Sequence, residues 1–135
     1  MATILVEGVL DLLSWRLWTL VEYLTKDIIA MLFITNREPK GSSATEIGRP
    51  YKFDLDKNSP SSSVYYCDRV GKNKYVEIGS KELMNRLRLS DAKQLLFFIH
   101  GFSNLPEPDV FPRVQKLQQY FDHKEKGLVS VIPLV

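Results

Sequence analysis

Leu95-Leu96-Phe97-Phe98-Ile99 runs directly into His100-Gly101, and this stretch indicates the fold class more clearly than any other. The five residues before the histidine are apolar at every position rather than at every second one. That pattern is typical of a strand covered on both faces, and such strands are mostly parallel. A His-Gly turn after a strand of this kind is also the most chemically suggestive point of the chain. We therefore expect a parallel strand over 95–99 with a candidate functional turn at its end.

A helix and a second strand are predicted after this turn. Apolar residues recur at the four, three, four spacing of one helical face, at Val110, Val114, Leu117 and Phe121. Asp109 is a suitable N-cap, and Gly127 can end the helix. The β-branched run Leu128–Val135 predicts a strand. Strand, crossover helix and strand form a right-handed βαβ unit, so the sequence favours the α/β class.

Shorter elements are predicted upstream of this unit. One strand is indicated where apolar residues alternate with charged ones, at Tyr51, Phe53 and Leu55. The runs 64–70 and 74–78 are joined by Gly71-Lys72-Asn73, which predicts a β-hairpin, placed at a sheet edge. Ser80 is a candidate N-cap for a short helix that continues to about Leu89.

Residues 1–30 are the most apolar part of the chain and predict an amphipathic helix with a narrow acidic stripe. Charged residues interrupt the run too often for a membrane-spanning helix of about 20 apolar residues, and no basic region marks a secretory signal. Membrane-surface helices carry basic residues on their polar face, so a membrane role is not favoured. We expect a helical extension over 1–30, able to bind a protein partner, and a domain over 31–135. Alternatively, Met31 is the true start.

The composition narrows the classes of function. A chain of 135 residues with 18 basic and 16 acidic side chains is about one domain, and it has no dense basic stripe. Nucleic-acid binding is therefore not expected. Cys67 is the single cysteine, which excludes an internal disulfide and supplies no metal-ligand spacing, so we expect no metal and no cofactor. A half-buried strand cysteine in a reducing compartment, the cytoplasm, is the expectation.

Several stretches are similar to the N-terminal part of a bacterial α/β-hydrolase family whose substrate is unsettled: residues 31–37, 65–69, 77–80 and above all 97–102. The resemblance covers about Met31 to Val135. It implies that the backbone N–H of Phe102 contributes to an oxyanion hole, that His100 and Gly101 shape the turn, and that the substrate is a small acyl or ester compound. The implied fold is a partial α/β-hydrolase sheet, made of the hairpin region and the βαβ unit and preceded by the apolar helix.

The resemblance also requires a Gly-x-Ser-x-Gly nucleophile elbow, an acidic residue and a late histidine, and none of these follows Val135. We therefore expect a chain truncated before the elbow and inactive by itself. Residues 101–105 resemble an elbow, but an elbow has a small last residue and continues directly into a helix, and Leu105-Pro106-Glu107-Pro108 satisfies neither condition. A triad of Ser103, Asp122 and His123 is rejected because adjacent residues at a helix end point in different directions.

Two functions of different classes are left open at this point. The first is an incomplete serine-hydrolase-like protein that carries the His-Gly oxyanion side but no triad. The second is a short, non-catalytic protein that binds another chain through residues 1–30 and an exposed sheet edge.

Overall fold

The computed structural model describes residues 16–17, 31–101 and 104–135. Its domain contains a six-stranded sheet in the order β2-β4-β3-β1-β6-β5, together with two helices. The elements are β1 Met31–Arg37, β2 Pro50–Tyr51, β3 Pro60–Gly71, β4 Lys74–Glu77, α1 Gly79–Leu89, β5 Gln94–Ile99, α2 Phe111–Lys124 and β6 Val129–Leu134. Strands β2, β4, β3 and β1 pair antiparallel, whereas β1 and β5 both pair parallel with β6. The α/β class is confirmed, and the sheet is mixed.

The predicted hairpin is present as β3 and β4, and Asn73 in its turn has a φ of 57°. Its predicted place at a sheet edge is wrong, because β1 pairs with β3 on one side and β2 pairs with β4 on the other. The strand predicted over 51–55 is shorter than expected. It ends at Tyr51, while Phe53 forms an isolated bridge to Pro39 and Leu55 is exposed in a turn.

The two helices predicted within residues 31–135 are confirmed, but their predicted N-caps are wrong. Ile78 occupies the N-cap position of α1, and Ser80 lies within the first turn of that helix. A π-type turn over 106–110 precedes α2. The Asp109 carboxylate accepts a hydrogen bond from the Leu105 N–H at 2.8 Å, so it stabilises this earlier turn instead of capping α2. Gly127 lies in the turn after α2 with a φ of 77°, which suits glycine.

The core lies between the sheet and α2, with Phe33 at its centre. The Phe33 ring centroid is 5.0 Å from that of Phe111, 5.5 Å from that of Tyr75 and 6.0 Å from that of Phe53. Helix α1 packs against β3 on the opposite face, where Leu83 is buried. Edge-to-face aromatic pairs add to the free energy of burial, so this cluster contributes to stability on the α2 face.

The predicted burial of β5 on both faces is wrong for the described part of the chain. β5 is an edge strand that pairs with β6 alone. Phe98 packs against the core, but Phe97 and Ile99 are 51% and 73% exposed. Alternate residues of a strand face opposite sides of the sheet, and α1 contacts mainly β3, so it leaves the outer face of β5 uncovered.

The helical extension predicted for residues 1–30 lies outside the described residues, apart from Arg16 and Leu17, which are helical and exposed. Within the described ranges, every helix is too short or too polar to cross a membrane.

We expect Phe111→Ala to lower the free energy of unfolding by about 3–5 kcal/mol, because the ring is fully buried against Phe33 and Tyr75 and its removal leaves a cavity. Urea denaturation measures this change. Tyr120→Ala on the same helix is the control, since that ring is 58% exposed and its loss should cost much less. Equal losses in the two variants would contradict this description of the core.

Candidate functional site

The His100-Gly101 turn lies at the carboxyl end of β5, next to the ends of β6 and β1. These three strands run parallel, so their carboxyl ends meet at one edge of the sheet. Val135 connects the end of β6 to β1 at this edge. Its N–H donates to the Ile34 carbonyl at 2.9 Å, and its carbonyl accepts a hydrogen bond from the Thr35 hydroxyl at 2.6 Å. The carboxyl ends of parallel strands are where open α/β sheets usually bind ligands, which makes this edge the candidate site.

Both ring nitrogens of His100 have partners. Nδ1 is 2.7 Å from the carbonyl oxygen of Gly101, which can only accept, so Nδ1 carries the proton. Nε2 is 3.4 Å from Nη2 of Arg37, which can only donate, so Nε2 accepts. This arrangement assigns the neutral Nδ1–H tautomer to His100. A ring with contacts at both nitrogens is placed to orient the turn.

Arg37 lies at the end of β1 and connects three segments of the chain at this edge. Its Nη1 donates to Oδ1 of Asn58 at 2.8 Å, and its Nη2 donates to the carbonyl of Asn104 at 2.8 Å. A surface hollow of about 260 Å³ opens beside the guanidinium, and His100 and Gly101 also line it. Partial burial lowers the pKa of Arg37 from its ordinary value.

The Gly101 carbonyl accepts hydrogen bonds from His100 and from Nδ2 of Asn104, the latter at 2.9 Å. A Cβ atom at Gly101 would meet only the Asn104 amide, at an ordinary 3.5 Å, so the surrounding described atoms do not themselves require glycine there. Phe102, whose N–H is the predicted oxyanion donor, and Ser103 lie outside the described residues. The role of Phe102 therefore stays a prediction.

Asp122 and His123 lie at the opposite end of the domain from this turn. They belong to the last turns of α2, and Gln118 of the same helix bonds to Val129 and Val131 at the start of β6. The six residues of β5 span about 20 Å between the two ends of the sheet. The Asp122 carboxylate also accepts the Gly127 N–H at 3.2 Å. Neither side chain can therefore serve chemistry at His100.

Cys67 is a second candidate nucleophile by residue type, but its position excludes that role. The thiol is fully buried in the core, and burial raises its pKa well above the ordinary value, so it stays protonated.

Burial likewise raises the pKa of the hydroxyls of Tyr51 and Tyr75. Among the described side chains, no group of three His, Cys, Asp or Glu residues is placed to hold a metal ion.

Sequence reasoning found His100 and Gly101 but missed the groups that contact them. Arg37 ends an apolar strand, and a charged residue at that point is a signal that could have identified it. Asn58 and Asn104 come from loops, and their place beside Arg37 depends on tertiary pairing that no local pattern contains.

Comparison of the chain with models of known protein families, with curated proteins and with solved structures finds no match. The residues and the geometry of the site are therefore what bear on its function.

We expect the Cys67 thiol to resist a chromogenic disulfide reagent at about pH 8 in the native protein and to react fully in denaturant, where its pKa returns to about 8.5. Absorbance of the released thiolate measures the reaction. Val64→Cys is the matched control, because it places an exposed thiol on the same strand, and that thiol should react at once. Rapid reaction of the native wild-type protein would show that Cys67 is accessible.

Proposed function

We propose that this chain provides the oxyanion side of an α/β-hydrolase-type site for a small acyl or ester substrate. The observation that carries the proposal is the position of the His100-Gly101 turn. It follows a parallel strand, at the carboxyl edge of the sheet, and a crossover helix and a second parallel strand come after it. The resemblance of residues 97–102 to an α/β-hydrolase family supports the same assignment.

In this proposal the backbone N–H of Phe102 donates to the oxygen of the substrate carbonyl as it becomes negative in the tetrahedral intermediate. A backbone amide is an effective donor because it is held in place before the reaction begins. His100 and Asn104 support that arrangement, since both donate to the carbonyl of Gly101, which belongs to the same planar peptide unit as the Phe102 N–H. His100 is thus a positioning residue in this proposal.

The remaining catalytic groups have to come from elsewhere. Among the described residues, the candidate acid Asp122 and the candidate base His123 lie at the far end of the sheet, and the thiol of Cys67 is buried. We propose that the 135-residue chain is inactive by itself. The proposed compartment is the cytoplasm, in keeping with a buried thiol at the single cysteine.

We expect no labelling of the 135-residue chain by a serine-directed fluorophosphonate probe, because the acid and base candidates Asp122 and His123 lie at the other end of the sheet from the turn. Intact-mass spectrometry measures the modification. Ser103→Ala is the control: it should give the same mass shift of zero. Stoichiometric modification of the wild-type chain, lost in Ser103→Ala, would contradict the assignment and make Ser103 a nucleophile.

The coding sequence after the Val135 codon separates this proposal from its rival. A strand, a helix and an in-frame Gly-x-Ser-x-Gly within about 50 residues support the hydrolase assignment. A stop codon at that point, with a well-behaved 135-residue product, contradicts it.

A second function is favoured by the exposed edge of β5. In the described part of the chain the outer backbone groups of β5 are unpaired, and apolar Phe97 and Ile99 are exposed beside them. Such an edge is a template for an extended strand of another protein chain, which would pair with the backbone and cover the apolar side chains. In this alternative the chain is a non-catalytic interaction protein, and residues 1–30 provide further contact.

For this alternative we expect the wild-type chain to self-associate with rising concentration, since a second copy offers the same edge. Phe97→Lys with Ile99→Lys should abolish that association, because charged side chains block edge-to-edge pairing. Sedimentation velocity measures the assembly. Ile47→Lys is the control, as Ile47 is 73% exposed, like Ile99, and lies in the loop before β2, the strand at the opposite edge of the sheet from β5. A wild-type chain that stays monomeric throughout would count against this edge as a binding surface.

A further inference from the structure

Arg37 differs from the other partly or fully buried arginines of the domain in its partners. Arg49 pairs with Glu77 at 2.9 Å, Arg69 pairs with Glu107 at 2.7 Å, and Arg86 pairs with two carboxylates. Within the described residues, the partners of Arg37 are an amide oxygen, a backbone carbonyl and an imidazole nitrogen, all of them neutral. The positive charge of Arg37 is thus the one in this group that has no carboxylate partner among the described side chains.

The neutral partners of Arg37 also leave donor capacity unused. A guanidinium has five N–H groups, and the three described contacts engage three of them. Among the described residues, the other two N–H groups of Arg37 have no hydrogen-bond partner. A partly desolvated cation gains most from an acceptor that is itself charged, because charge-assisted hydrogen bonds are about twice as strong as neutral ones.

The hollow beside Arg37 has the size and lining for such an acceptor. It measures about 260 Å³, and its described lining is neutral apart from Arg37: Asn36, Asn58, Ser59, Pro60, His100, Gly101 and Asn104. Side-chain amides and a hydroxyl can donate hydrogen bonds to oxygen atoms of a ligand. No aspartate or glutamate is part of that described lining, so an anion that enters meets one fixed positive charge and no fixed negative one.

We propose that this hollow binds the oxyanion group, carboxylate or phosphate, of a small ligand, with Arg37 as its ion-pairing residue. The contacts of the ligand are with Arg37 and with the amides around it, at the carboxyl ends of β1 and β5. Binding of this kind does not require Phe102 or any hydrolytic step. Where the hydrolase proposal also holds, the hollow receives the acidic end of an acyl substrate, next to the turn that stabilises the oxyanion.

The test is titration of the full chain with sodium succinate and, separately, with sodium phosphate, followed by NMR of backbone amides at constant ionic strength. We expect saturable shifts at Arg37, Asn58 and Gly101 with at least one of the two anions, and the anion that binds more tightly identifies the source of the oxyanion. Arg37→Gln should weaken binding at least roughly tenfold, since it removes a charge-assisted contact. Arg88→Gln, an exposed arginine on α1 with the same change in net charge, should leave binding unchanged.

A second variant keeps the proposal testable if Arg37→Gln fails to fold. Asn58→Asp places a carboxylate where Oδ1 of Asn58 already accepts from Arg37, and aspartate tolerates the φ of 45° at this position. We expect this variant to fold at least as stably as the wild type and to lose anion binding, because its own carboxylate neutralises the guanidinium. Unsaturable shifts in the wild type, equal loss in Arg88→Gln or undiminished binding in Asn58→Asp would overturn the proposal. Any of these results would leave the proposed role of Phe102 untouched.

Discussion

The contact on which the rest of the domain depends is the burial of Phe33 against α2. Phe33 lies on β1, the strand that joins an antiparallel half of the sheet, β2-β4-β3, to a parallel half, β6-β5. Its ring meets Tyr75 from the antiparallel half and Phe111 from the crossover helix of the parallel half. Because β1 and β6 share only a short ladder, with Ile34 opposite Leu134, packing through Phe33 is a second link between the two halves.

Local chemistry explains which elements could be predicted from the sequence. The hairpin of β3 and β4 follows from Asn73, which adopts positive φ readily, between two β-rich runs. The βαβ unit follows from the helical spacing of Val110, Val114 and their neighbours between two apolar strands, and Val110 and Val114 are indeed buried. In each case the pattern reflects contacts within one supersecondary unit. The element can therefore be predicted without knowledge of the rest of the fold.

The predictions that failed depend on partners distant in the sequence. An apolar run such as 95–99 predicts a strand with apolar side chains on both faces. It does not indicate whether the described residues include elements that pack against both of them. Here β6 supplies one neighbour and Phe98 packs against the core, while Phe97 and Ile99 are exposed. The cap predictions failed for a related reason. Asp109 has the right side chain for a helix N-cap, but the π-type turn before α2 places its carboxylate against Leu105.

The candidate site shows the same division between local and distant information. His100 and Gly101 were recognisable because they follow a strand directly, whereas the charge that distinguishes the site comes from Arg37, 63 residues earlier. Sequence alone gives every arginine the same charge, and only the fold shows that Arg49, Arg69 and Arg86 are neutralised by carboxylates while Arg37 contacts neutral groups. A guanidinium that loses water and contacts only neutral groups, as Arg37 does among the described residues, costs folding free energy. An anionic ligand would offset that loss of free energy. The partners of Arg37 therefore indicate a ligand class, an anion, which the His-Gly turn by itself does not.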